Sequence, residues 1–106
     1  MFVTAYFCRA RPGKQETMCA LYREWLRLAP GGRLLTTELL TNLYDPAEMI
    51  MLARFQDEET AWAVAESPDY RAWYSRLIDA AENGPVVSQY ILNLREGTDS
   101  PQSGSS

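Results

Sequence analysis

The chain contains no histidine. That absence removes serine–histidine and cysteine–histidine catalysis, histidine-ligated metal and a proximal histidine for haem. Cysteine occurs only as Cys8 and Cys19, and neither belongs to a Cys-x-x-Cys pair. Zinc and thioredoxin-like chemistry therefore have no support, and both thiols read as reduced core fillers. No apolar run approaches the roughly eighteen residues a membrane-spanning helix needs. Positive charge is also short: ten cationic side chains, nine of them arginine, face fourteen acidic ones, for a net charge of −4. Nucleic-acid binders usually carry a basic stripe, so nucleic acid is excluded as a partner. The opening "MFVTAYFCRARPGK" lacks a basic region leading into an apolar run and a small-residue cleavage site. The expected compartment is the cytoplasm.

What is present is an ordinary globular balance, 46% hydrophobic and 23% charged, at a length that fits one domain. The closing "REGTDSPQSGSS" offers nothing apolar to bury. Residues 1–95 are expected to form the domain and residues 96–106 a disordered tail.

Within the domain the hydrophobic period alternates. Residues 2–11 are β-branched and aromatic and end at Pro12-Gly13, which reads as a strand and a turn. Met18, Leu21, Tyr22, Trp25 and Leu28 then recur at helical spacing until Pro30-Gly31-Gly32. Residues 33–44 read as a long strand whose phase slips at Leu39-Leu40, as at a bulge. Asp45-Pro46 marks a turn, and residues 48–55 a third strand. Asp57 is placed to cap a short helix that opens with Glu58 and Glu59. Ser67-Pro68 opens a second helix, with Tyr70, Trp73, Tyr74, Leu77, Ile78 and Ala81 on one stripe, ending at Asn83-Gly84-Pro85. Residues 86–94 close the fold as a strand. The order is β-α-β-β-α(α)-β, a ferredoxin-like α+β fold on a four-stranded antiparallel sheet.

Two helical regions cover one face of such a sheet, yet the strands are apolar on both. Strand one offers Phe2, Tyr6 and Cys8 on one side and Val3, Ala5 and Phe7 on the other. Strand three offers Ile50 and Leu52 against Met49, Met51, Ala53 and Phe55. A half-solvated sheet alternates apolar with polar, and each large side chain left in water forfeits about 1.5–3 kcal/mol. The second face is expected to meet another copy of the chain, giving a homodimer.

The stretch "TAWAVAESPDYRAWYSRL" gathers Trp62, Tyr70, Trp73 and Tyr74. Tyr70, Trp73 and Tyr74 share a stripe with Leu77 and read first as core. Trp62 lies about a quarter-turn off the small inward stripe of Ala61, Val64 and Ala65. Those small residues, with Ala53 and Ala5 on the strands, either draw the elements close or leave a cavity, and a cavity rimmed by rings would suit a flat aromatic ligand. Tyr6, Tyr70, Tyr74 and Tyr90 can donate to a phenolate or enolate oxygen. Arg54 has two readings, an anion stabiliser or an ion-pair partner at the dimer face, and its parity with Ile50 and Leu52 favours the second. Asn42 and Glu38 share one face of strand two, where Glu38 reads as an exposed strand glutamate.

The "PGK" turn, "APGG" before the long second strand, the "DP" hairpin, "ARFQDEETAWAVAESPDYRAW" and the closing "VVSQYILNL" together resemble the antibiotic biosynthesis monooxygenase family of dimeric α+β barrels. The resemblance covers residues 2–94. It implies a ferredoxin-like subunit that pairs sheet to sheet, with a pocket between sheet and helices. It also implies oxidation of aromatic polyketides such as anthrones by molecular oxygen, with neither cofactor nor metal. The quinone-forming branch has asparagine and tryptophan where this chain has Met51 and Phe55, and a helix tyrosine near Trp62. The haem-degrading branch has a strand-one asparagine where Tyr6 stands and a helix histidine that this chain lacks, which excludes it. From the aromatic stretch and the resemblance together, Trp62, Tyr70 and Tyr74 are the candidate catalytic residues. Tyr6, Met51, Phe55, Trp73 and Tyr90 are the candidate substrate-binding ones. The implied activity is a cofactor-independent monooxygenase on an aromatic small molecule. A cyclase or isomerase in the same pocket, or a binding barrel without turnover, are the alternatives.

Overall fold

A computed structural model describes residues 1–25, 27 and 34–93. These form β1 (Phe2–Arg9), α1 (Gln15–Trp25), β2 (Leu34–Asn42), β3 (Asp45–Phe55), α2 (Glu58–Ala65), α3 (Pro68–Ala80) and β4 (Val86–Ile91). The strands pair antiparallel in the order β2-β3-β1-β4, so the two halves of the chain interleave at the centre of the sheet. This is the ferredoxin-like α+β arrangement that the alternation of periods predicts. The helix stop at residues 30–32, Leu28 and the tail of residues 96–106 lie outside the described residues.

Local chemistry sets the element ends. The Asp57 carboxylate accepts from the Thr60 amide at 2.8 Å, and Ser67 Oγ accepts from the Tyr70 amide at 3.1 Å with Pro68 at the first helical position. Each cap satisfies an amide that has no partner inside its helix. α3 stops three residues earlier than its turn signal, because Ala81 leaves the helix to bridge Ala10. Asn83 and Gly84 then both take positive φ, 58° and 72°, and swing the chain into β4.

Three details depart from the sequence reading. The β2–β3 register is irregular between Leu34 and Thr36 and between Thr41 and Asn42, not at Leu39-Leu40. The hairpin turn is Leu43-Tyr44, while Asp45 and Pro46 already belong to β3. Ile78 is 42% exposed and lies off the buried face, which is formed by Trp73, Leu77 and Ala80.

The helices pack on one face only. Under them lie Phe2, Tyr6 and Cys8 of β1 and Met49, Met51, Ala53 and Phe55 of β3, all buried. α1 adds Met18, Leu21 and Trp25, α2 adds Ala61 and Val64, and α3 adds Trp73 and Leu77. At the centre Trp25 and Trp73 stack at 4.8 Å, and Tyr6 meets both edge-on at 5.8 and 5.6 Å. Such offset and edge contacts follow the ring quadrupoles.

The opposite face carries Val3, Ala5 and Phe7 beside Ile50, Leu52 and Arg54, as the register dictates. Leu40 and Glu38 of β2 and Val86 and Tyr90 of β4 extend it. No helix among the described residues covers it. Arg54 pairs there with Glu38 at 3.1 Å, so its ion-pair partner is in its own chain.

Candidate functional site

Between the sheet and the α2–α3 corner lies a cavity of about 250 Å³. Strand parity supplies its floor: Thr4 and Tyr6 of β1 sit opposite Gln89 and Val87 of β4, all on the helix face. Phe55 at the end of β3 and Trp25 at the end of α1 close one side. Ala61 and Ala65, four residues apart on one face of α2, leave the room. Trp62, Tyr70 and Tyr74 complete the wall. Among the described residues eleven side chains line it, six of them aromatic and none with a formal charge. A wider groove of about 400 Å³ between α1 and α3 is walled by Lys14, Glu24, Arg76 and Asp79. Its Glu24 and Arg76 already bind each other at 2.7 and 2.9 Å, and its described residues present no ring.

Inside the aromatic cavity the described polar groups are the hydroxyls of Thr4, Tyr6, Tyr70 and Tyr74, the Gln89 amide and the indole N–H groups. Tyr6 and Tyr70 hydrogen-bond to each other at 2.8 Å, and Tyr74 stacks on Tyr70 at 5.9 Å and 12°. One hydroxyl of the pair donates to the other, which leaves one O–H free for a ligand. Burial holds the Tyr6 phenol well above its ordinary range, with Tyr70 adding to the shift. Burial also raises Tyr70, partly offset by its bond to Tyr6, and raises Tyr74. These phenols are neutral donors at physiological pH and do not serve as bases. Beside them burial pushes the Cys8 thiol up to about 11, which keeps it protonated and unreactive.

The structure brings together five of the residues singled out from sequence: Tyr6, Phe55, Trp62, Tyr70 and Tyr74. Trp62 is 43% exposed and offers its ring to the cavity, but its N–H donates outward to Glu58 at 2.9 Å. Its polar tip is therefore engaged. The other three stand elsewhere. Met51 is fully buried in the core beside Tyr6. Trp73 lies behind Trp25, its N–H donating to the Leu21 carbonyl at 2.7 Å. Tyr90 pairs with Val3 and so belongs to the open face of the sheet. Ala5 belongs to that face too, and its small side chain does not shape the cavity.

Sequence reasoning missed Trp25, Thr4, Val87 and Gln89. The signal for the β4 pair was strand parity with Tyr6 and Thr4, which needs the β1–β4 register. Trp25 sat on an apolar helical stripe that reads as plain core. No group of three or more potential metal ligands occurs among the described residues, and none of their helices is long and apolar enough to cross a membrane.

No family model matches the sequence, and no curated protein matches it. Solved structures do share the fold. A Nitrosomonas europaea protein, named as a candidate antibiotic biosynthesis monooxygenase, superposes with a TM-score of 0.72 at 18% identity, over 85% of this chain and 96% of its own. A structure named antibiotic biosynthesis monooxygenase gives 0.71 at 14% identity, over 89% and 100%. A conserved protein from Methanosarcina mazei gives 0.75 at 13% identity, over 84% and 89%. The chain thus has the fold of proteins named as antibiotic biosynthesis monooxygenases. At these identities the likeness concerns the fold alone.

Proposed function

We propose that this protein is a cofactor-independent monooxygenase acting on an uncharged aromatic, polyketide-like small molecule, and that it works as a sheet-to-sheet homodimer. The observation that carries the reading is the cavity itself: a ring-walled space with no charge among its described residues, holding a part-buried pair of neutral hydroxyls. The names of the proteins that share the fold point the same way. The apolar open face supports the dimer.

The described lining residues include no carboxylate, amine or imidazole to act as a base. The substrate is then a carbon acid acidic enough to give its proton to solvent water and yield an enolate. The free O–H of the Tyr6–Tyr70 pair donates to the enolate oxygen, and the mutual hydrogen bond polarises that donor. The electron-rich carbon reduces molecular oxygen and forms the new C–O bond. Cleavage of the O–O bond then turns a ring CH₂ into a carbonyl and releases water. Trp62 and Tyr74 hold the ring plane and exclude solvent.

Oxygen uptake with an anthrone tests the reading. Wild type is expected to consume one O₂ per quinone formed, and Tyr70→Phe to slow turnover by about 10²–10³, the range for loss of one oxyanion donor. Turnover without oxygen uptake would instead mark a cyclase or isomerase, and binding without turnover a binding barrel.

A further inference from the structure

Of the three indoles, two have their N–H groups engaged, Trp62 with Glu58 and Trp73 with the Leu21 carbonyl. Trp25 differs. Its side chain is 2% exposed, it lines the aromatic cavity, and its Nε1 is closed to solvent with no acceptor among the described residues. Buried donors in folded proteins are almost always paired. A buried water is a poor substitute, because it needs two to four polar partners of its own. The hydroxyls of Tyr6 and Tyr70, whose rings pack against Trp25, are already joined to each other.

We propose that Trp25 is a ligand-binding donor of this cavity, its indole N–H holding the carbonyl oxygen of an uncharged, planar aryl ketone or quinone. An indole N–H donates and cannot accept, so the position selects an oxygen acceptor and rejects an ammonium or amide N–H. With no cation among the described wall residues, a carboxylate or phosphate would enter there without a counter-charge, which disfavours such ligands. Trp25 is held for this role by its stack on Trp73 and its edge contact with Phe55. The inference rests on the cavity being a ligand site, and it adds a specificity determinant that the Tyr6–Tyr70 pair does not supply.

The test uses two probes of nearly one shape, indanone with a carbonyl oxygen and indane without it. Each is titrated into the full chain while the three indole N–H signals are followed by nitrogen–proton NMR. Indanone is expected to move the Trp25 indole proton downfield and leave that of Trp73 in place, whereas indane causes no downfield shift. Trp25→Phe should weaken indanone about five- to tenfold, the worth of one net hydrogen bond, and leave indane affinity within about twofold. If both probes bind while the Trp25 signal stays put, or if Trp25→Phe weakens both alike, the role of Trp25 is overturned and the cavity still stands as a ligand site. If neither probe binds, the ligand site and the role of Trp25 fall together. The wild-type NMR titration decides the matter even if Trp25→Phe does not fold.

Discussion

The hydroxyls of Tyr6 and Tyr70 meet at 2.8 Å across 64 residues of sequence. The two partners are unequally buried: Tyr6 is 2% exposed, whereas Tyr70 lies partly at the cavity surface. Removing one hydroxyl therefore has an effect that depends on which is removed. Tyr70→Phe strands the Tyr6 hydroxyl away from water and should cost about 1–3 kcal/mol, the penalty for an unsatisfied buried group. Tyr6→Phe leaves Tyr70 able to find water and should cost about 0.5–1.5 kcal/mol. The double variant should lose less than the sum of the two. Urea unfolding of the three variants checks this, and additive losses would mean the hydroxyls do not interact.

The tryptophans of α2 and α3 should also divide. Trp73 is wholly buried and stacked on Trp25, so Trp73→Ala should cost about 3–5 kcal/mol. Trp62 is 43% exposed and touches Phe2 only at 6.4 Å between ring centres. Trp62→Ala should cost far less stability while weakening aromatic ligands, whose ring plane it walls. Equal destabilisation by the two substitutions would show Trp62 to be core and open the cavity assignment to doubt.

These contrasts show what was legible in the sequence. Caps and turns are local chemistry, so Asp57, Ser67-Pro68 and Asn83-Gly84 marked element ends within a few residues. Period separated helix from strand, and parity grouped Tyr6 with Phe2 and Cys8, Phe55 with Met51 and Ala53, and Arg54 with Ile50 and Leu52. Parity within one strand says nothing about its neighbour, however. Tyr90 could be assigned to the wrong face because only the pairing of Val3 with Tyr90 fixes its side. Nor does a helical stripe distinguish core from wall. Trp73 and Trp25 are stacked partners, yet Trp25 lines the cavity and Trp73 stands behind it.

Stability should fall on the alkaline side. The folded chain holds Cys8 up at about 11 against an ordinary thiol value of 9.0, and burial raises the phenols of Tyr6, Tyr70 and Tyr74 above 10.0. Below about pH 9 these groups are protonated in both states, and their contribution is fully present. As pH rises further, the unfolded chain gives up protons that the folded chain keeps. Unfolding is then favoured, and the contribution is lost progressively as pH climbs towards the folded values. Melting temperature measured from pH 8 to 11 should decline from about pH 9 onward. Phenolate absorbance should show a group of tyrosines that titrate only with unfolding. A flat profile across that range would mean the hydroxyl cluster is hydrated.

The open face of the sheet carries the last prediction. Phe7, Leu40, Val86 and Tyr90 are 37%, 48%, 63% and 50% exposed in the single chain, and Val3, Ile50 and Leu52 lie among them. Burying the larger of these side chains would return about 1.5–3 kcal/mol each. A second copy offers the same surface, as a two-fold interface requires. Light scattering at micromolar concentration should therefore give about twice the 12.0 kDa chain mass. Phe7→Glu places a charge in the middle of that patch without touching the helix-side core, since Phe7 points away from Tyr6 and Cys8. It should yield a folded chain of single mass with an unchanged far-ultraviolet spectrum. The Arg54–Glu38 pair offers a second handle: Glu38→Ala removes the partner of a guanidinium that the interface would enclose, and should weaken association more than it weakens the fold. Wild type running at single-chain mass would overturn the dimer, and the apolar face would then need another cover.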